Sequence, residues 1–336
     1  MYLEGGFAFQ VSYAERMAET EGRRKPSIIT EILSKRESAI FLALVGISVC
    51  ITIVAPRFAT SRNFYLVSRQ ISFVAIVAMG ELFVILTAGI DLSVGSMVGF
   101  SGVIAGIAMA AGIPTPIALA LSLIAGTALG LINGTLVAYV GITPFIVTLG
   151  MLSIARGAIW GITKGWPITE ISQSFMFIAR GDLFGIPASV IIAGIIAIFV
   201  HIVLRYTVFG RRTFAIGGNE EATALSGINV QKIKVLIYGV SGFLSSITGI
   251  MLVARFNSAQ PSTGQGWELD AIAATVIGGT SLMGGVGSVL GVLIGAAIMG
   301  VIRNGLVLMK VSVYWQTLVI GTIIILAAVV DRLKNR

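Results

Sequence analysis

Ala39-Ile40-Phe41-Leu42-Ala43-Leu44-Val45-Gly46-Ile47-Ser48-Val49-Cys50-Ile51-Thr52-Ile53-Val54-Ala55 is an unbroken run of 17 residues without a charge. A bilayer core about 30 Å thick needs roughly 17–25 such residues per helix, so the run reads as a membrane span. It is the first of a series: 71–89, 93–112, 116–140, 144–162, 187–205, 233–253, 269–283, 287–303 and 315–331 are similarly apolar. The pattern predicts an all-α, polytopic transmembrane helical bundle of about ten spans. Two of them are irregular. The 71–89 run carries Glu81, and 269–283 is short and rich in glycine. The latter is expected as a broken or re-entrant segment, which membrane depth tolerates only where protein or water surrounds it.

Composition supports the same class. Of the 336 residues 56% are hydrophobic and 11% charged, and the mean hydropathy is +0.97. A soluble domain carries about 25% charged residues, so this chain lacks the polar surface for a water-facing globule. The net charge of +8 does not indicate nucleic acid, because the basic residues flank the apolar runs, as they do beside an anionic inner leaflet. Cys50 is the only cysteine and reads as a small packing residue.

The organisation is a tail, 1–38, followed by a transmembrane domain, 39–336. The tail holds six acidic and six basic residues and is expected to be cytoplasmic, with the first apolar run acting as a signal anchor. Translation could start at Met1 or at Met17. With ten spans both termini share one side of the membrane. That side takes 14 Lys and Arg residues, from the tail, the 206–232 loop and the C-terminus, against 8 on the other. Both termini are therefore expected in the cytoplasm.

Charges at membrane depth are costly and mark candidate functional positions. Glu81 either makes an interhelical hydrogen bond or faces a pore. Asp91 and Ser93, in Gly89-Ile90-Asp91-Leu92-Ser93-Val94-Gly95-Ser96, either cap the next helix or line a solute path. Glu268 and Asp270 open a helix, where acidic groups complement the macrodipole. Thr280 lies in Gly278-Gly279-Thr280-Ser281-Leu282-Met283-Gly284-Gly285, a tight turn between spans. That turn lacks the lysine of a phosphate loop, and no such motif occurs in the chain. His201, the sole histidine, reads as a helix-end residue, and no nucleophile–base pattern suggests an enzyme.

The longest polar connector is 206–232. Within it 219–226 reads as one short helix: Asn219 caps it, Glu220 and Glu221 fill its first turn, and Gly227 ends it. A helix too short to be stable alone, exposed at a membrane surface, is either a partner-docking element or an ordinary connector.

Several stretches together resemble the permease subunits of binding-protein-dependent ABC sugar importers, the ribose permeases most closely. They are 89–96, Ala215-Ile216-Gly217-Gly218-Asn219-Glu220, Leu225-Ser226-Gly227-Ile228-Asn229-Val230, Ser258-Ala259-Gln260-Pro261, Glu268-Leu269-Asp270-Ala271-Ile272-Ala273-Ala274 and 278–282. The match runs from about residue 38, and only the tail before Met17 is foreign to it. The resemblance implies a multi-pass inner-membrane permease of a bacterium, not itself an enzyme, that imports ribose or a related monosaccharide. It implies a second permease subunit, identical or related, and a periplasmic sugar-binding protein. It also implies an ABC ATP-binding subunit, as two copies or a fused double ATPase, which holds ATP and Mg while this chain binds no cofactor. Residues 217–227 would then be the coupling helix, through Gly217, Asn219, Glu220, Glu221, Ala222, Leu225 and Gly227. Glu81, Asp91, Ser93, Asp270 and Thr280 would line the translocation path or its gate. The alternatives are an ABC permease for another small solute, such as autoinducer-2 or a branched-chain amino acid, and an ion-coupled secondary transporter.

Overall fold

The computed structural model describes residues 36–172 and 175–334. The tail to residue 35, and with it the alternative start at Met17, lies outside the described residues. Thirteen helices follow in order: α1 (Arg36–Val54), α2 (Ser61–Leu86), α3 (Val94–Ala110), α4 (Thr115–Thr135), α5 (Pro144–Thr163), α6 (Phe177–Arg180), α7 (Ala188–Tyr206), α8 (Val208–Gly218), α9 (Glu220–Leu225), α10 (Val230–Phe256), α11 (Trp267–Ile277), α12 (Val289–Leu308) and α13 (Val313–Lys334). A π turn, Leu136–Val140, extends α4. A two-residue hairpin, β1 (Asp182–Leu183) with β2 (Ile186–Pro187), is the only sheet among the described residues. Among the described residues seven helices are long and apolar enough to cross a membrane, and α3 and α13 hold shorter apolar stretches. This is an all-α polytopic bundle.

α10 is its axis, packed against α2, α3 and α4. The approach to α4 is close because Gly126, Gly130 and Gly134 recur every fourth residue and leave no side chain in the way. A Cβ on Gly126 would lie 2.0 Å from Ser246 Oγ, and one on Gly130 would lie 2.2 Å from the Tyr238 carbonyl. Small residues are what permit such contacts where lipid provides no hydrophobic drive for association. Around α10 the fully buried Tyr238, Phe73 and Phe83 fill the interior, while Ile154 of α5 and Phe199 of α7 face outward. One polar pair links helices across the bundle: Asn63 of α2 and Asn304 of α12 exchange two hydrogen bonds of 3.0 Å.

The structure corrects the sequence reading in several places. α2 starts at Ser61, ten residues before the apolar run predicts, because Thr60 caps it by accepting from the Asn63 N–H (3.3 Å). The 269–283 segment, by contrast, is broken as expected: α11 has 11 residues, about 16 Å at 1.5 Å per residue, and a turn follows. The 206–232 connector holds two helices, not one. α8 escapes the sequence reading because Gly210, Gly217 and Gly218 mask it; Thr207 caps it by accepting from Gly210 N–H (3.2 Å). α12 continues past the end of the 287–303 run, so that Arg303 lies inside it. Cys50 points outward from α1 and does not serve as packing.

Candidate functional site

Two breaks in the helices meet one surface helix pair. The first break, residues 87–93, joins α2 to α3 within the protein interior. Asp91 organises it. Its Oδ1 accepts from the Ser93 N–H (2.9 Å) and the Ser93 hydroxyl, and its Oδ2 accepts from the Ser241 hydroxyl of α10 (3.1 Å). The Asp91 N–H donates to Glu81 Oε1 of α2 (3.1 Å), and Asn133 of α4 donates to Ser93 Oγ (2.9 Å). Asp91 thus ties together α3 and α10 through its carboxylate and α2 through its backbone N–H. Of the two expected caps, Asp91 satisfies the backbone N–H at the start of α3, while the Ser93 side chain caps nothing. Glu81, Asp91 and Ser93 are all 0% exposed. Asn133 and Ser241 escaped the sequence reading; an amide inside an apolar run is the signal that could have found the first.

The second break, residues 278–288, joins α11 to α12. Gly279, Gly284 and Gly285 adopt positive φ there, which lets the chain reverse in a few residues. Thr280 is buried at its centre. Asp270 of α11 is anchored by Arg303 of α12, whose Nη2 donates to both carboxylate oxygens at 2.6 and 2.8 Å, in addition to any macrodipole effect. The two breaks touch, since the Gly285 N–H donates to the Leu86 carbonyl at the end of α2 (3.0 Å).

α8 and α9 bear on this junction from the surface. Gly217, in the last turn of α8, has no room for a side chain: a Cβ would lie 1.8 Å from the Leu86 carbonyl oxygen and 2.3 Å from the Gly285 nitrogen. Gly217 therefore belongs to α8 and to the junction, not to the short helix. That helix, α9, is built as its residues predict. Asn219 Oδ1 accepts from the Ala222 N–H (2.9 Å), and Gly227 leaves it at φ +79°. Glu220 is bonded through both oxygens to Lys234 of α10, at 2.6 and 2.7 Å. Glu221, Ala222 and Leu225 are exposed, and Leu225 is 83% so. His201 is exposed near the end of α7, beside the Tyr206 ring.

A third irregular segment, 257–266, connects α10 to α11 and is held by α5: Arg156 Nη1 donates to the carbonyls of Pro261 (3.2 Å) and Thr263 (2.9 Å). Among the described residues no group of three or more His, Cys, Asp or Glu side chains is placed to hold a metal.

Residues 63–328 match the family model described as branched-chain amino acid transport system / permease component. The chain is 43% identical over 303 residues to the ribose import permease protein of Escherichia coli (strain K12), covering 89% of this chain and 94% of that one. It is 41% identical over 297 residues to the ribose import permease protein of Bacillus subtilis (strain 168), covering 88% and 92%. Against the D-allose transport system permease protein of Escherichia coli (strain K12) the identity is 35% over 327 residues, covering 97% and 100%. No solved structure matches the chain.

Proposed function

The chain belongs to the family of branched-chain amino acid transport system permease components, and on that premise we propose that it is the membrane-spanning subunit of an ATP-driven ABC importer for a monosaccharide, ribose foremost. The relatives named for ribose and allose cover nearly all of it, which supports a sugar over an amino acid. In this reading two permease subunits, identical or related, form the path in a bacterial inner membrane. A periplasmic sugar-binding protein delivers the sugar. ATP-binding subunits, two or one fused double, carry ATP and Mg on the cytoplasmic face, and the excess of Arg and Lys supports both termini lying on that face.

The observation that carries the proposal is α9. It is six residues long, capped, bonded to α10 by Glu220 and joined to the end of α8, whose Gly217 meets Leu86 and Gly285 at the two breaks. It presents Leu225 to the outside with no cover from its own chain. A helix this short is marginal by itself, and packing against a partner is what would hold it in place. We assign α9 as the element that inserts into the ATPase, and the α8 end as the relay to the breaks. Glu81, Asp91, Ser93, Asp270 and Thr280 act on the path from behind it: their burial supports a role in fixing the breaks about which the gate turns.

The test is sugar-stimulated ATP hydrolysis by the reconstituted transporter. Leu225→Asp should abolish most of the stimulation, and Gly227→Val should do the same by straining the exit from α9. Unchanged stimulation in Leu225→Asp would sink the docking assignment. A binding protein co-purified with its bound ligand identifies the solute, and a ligand other than a monosaccharide would overturn the sugar assignment.

A further inference from the structure

The segment 257–266 lies where irregular backbone is not free to lie. Its depth follows from its neighbours. Ala259 bonds to Ile168 (2.8 and 3.0 Å) and meets Gly106 of α3, while Thr263 and Gly264 meet Gly99 and Gly95. Gly106 to Gly95 is eleven residues, about 16 Å along α3. Nearby, Gly249 of α10 lies against Val98 and Gly102 of α3, so this part of α3 sits well inside the reach of the long α10. The chain therefore leaves the end of α10, dives to about half the depth of the bundle, and only there begins α11.

One side of the dive is sealed. Gly95 leaves no gap, since a Cβ on it would lie 2.3 Å from the Gly264 carbonyl oxygen, and Arg156 takes up two further carbonyls. The other side is open. Ser262 and Gln265 are exposed there. Non-helical backbone at membrane depth is tolerated when it is covered by protein or lines a water-filled cavity, and it is not found facing lipid. Covered on one side and polar on the other, the segment fits the second case.

We propose that 257–266 is a re-entrant wall of the translocation path, and that Ser262 and Gln265 are its sugar-facing groups. The inference rests on the permease reading and adds to it the surface the sugar crosses. A hydroxyl and a carboxamide suit a monosaccharide because each both donates and accepts hydrogen bonds. They offer successive hydroxyls weak, exchangeable partners and no charge that would hold the solute. Arg156 is then a positioning residue, which acts through the two carbonyls it holds.

The single cysteine makes the test direct. In a Cys50→Ser background, Ser262→Cys and Gln265→Cys are introduced one at a time, with Ile124→Cys as reference. Ile124 is 64% exposed on α4, two residues from Ser122 and Gly126, which meet Ser101 of α3. The transporter, complete with its ATPase and binding protein in proteoliposomes, is treated with a charged, membrane-impermeant methanethiosulfonate. Two readouts follow: the rate of the mass shift and ribose uptake after labelling. Both loop cysteines should react at least about tenfold faster than Ile124→Cys, because water reaches a path wall and not a lipid face, and labelling should block uptake. Labelling no faster than the reference would overturn the proposal, since the segment would then face protein or lipid. Fast labelling with undiminished uptake would also overturn it, since the water reached would lie off the path. Uptake by the unlabelled Cys50→Ser background tests the permease reading by itself, and the labelling rates hold whichever solute is carried.

Discussion

At the residue scale, the centre of the protein turns on Asp91. A carboxylate with no exposure normally has a cationic partner, but this one is met by hydroxyls and a backbone N–H. The residue's value is in holding three helices at one break. Asp91→Ala strands the Ser241 hydroxyl and the N–H of Ser93, and buried donors without partners are costly. Hydrogen bonds between membrane helices are individually modest, so the loss should be about 2 kcal/mol. It should be visible as a lower unfolding temperature of the detergent-purified protein. Asp91→Asn, which keeps one acceptor oxygen, should lose less. If alanine and asparagine leave the melting temperature alike and unchanged, Asp91 does not hold the break.

At the scale of elements, the informative pair is Gly217 and Gly218. They are adjacent in sequence at the end of α8, yet only Gly217 is pressed against Leu86 and Gly285, while a Cβ on Gly218 would meet nothing within 4 Å. Gly217→Ala should therefore push α8 off both breaks and sharply reduce sugar-stimulated ATPase activity. Gly218→Ala should be close to neutral, and equal effects would rule out the relay. This contrast was not legible in the sequence, where both glycines fell in a loop. What was legible were the elements with a local signature: the long apolar runs, the Asn219 cap and the Gly227 exit. α8 was not, because three glycines weaken its helical signal and its support comes from packing against distant elements. Neither was the dive of 257–266, since nothing local distinguishes a re-entrant loop from an external one. Its depth depends on glycines of α3 more than 150 residues earlier.

At the scale of the whole molecule, the question is what drives it. An ion-coupled transporter needs a titratable group that water reaches in turn from each side, and the interior offers Glu81 and Asp91 as carboxylates. Both are fully buried and engaged with the first break, so they serve the architecture and not a proton relay. In the reading proposed above, the drive enters from outside the chain, at α9, and reaches the breaks through the end of α8. Two results should follow in proteoliposomes that contain the complete transporter. With ATP supplied inside and the binding protein outside, a proton ionophore should leave sugar uptake intact, whereas omission of ATP should abolish it. Glu81→Gln, which keeps an oxygen to accept from the Asp91 N–H, should retain uptake within about threefold, because the side chain's task is a hydrogen bond worth roughly 1 kcal/mol and not a charge change. Uptake that collapses with the ionophore, or with Glu81→Gln in a protein that still melts normally, would return the buried carboxylates to the centre of the mechanism and displace α9.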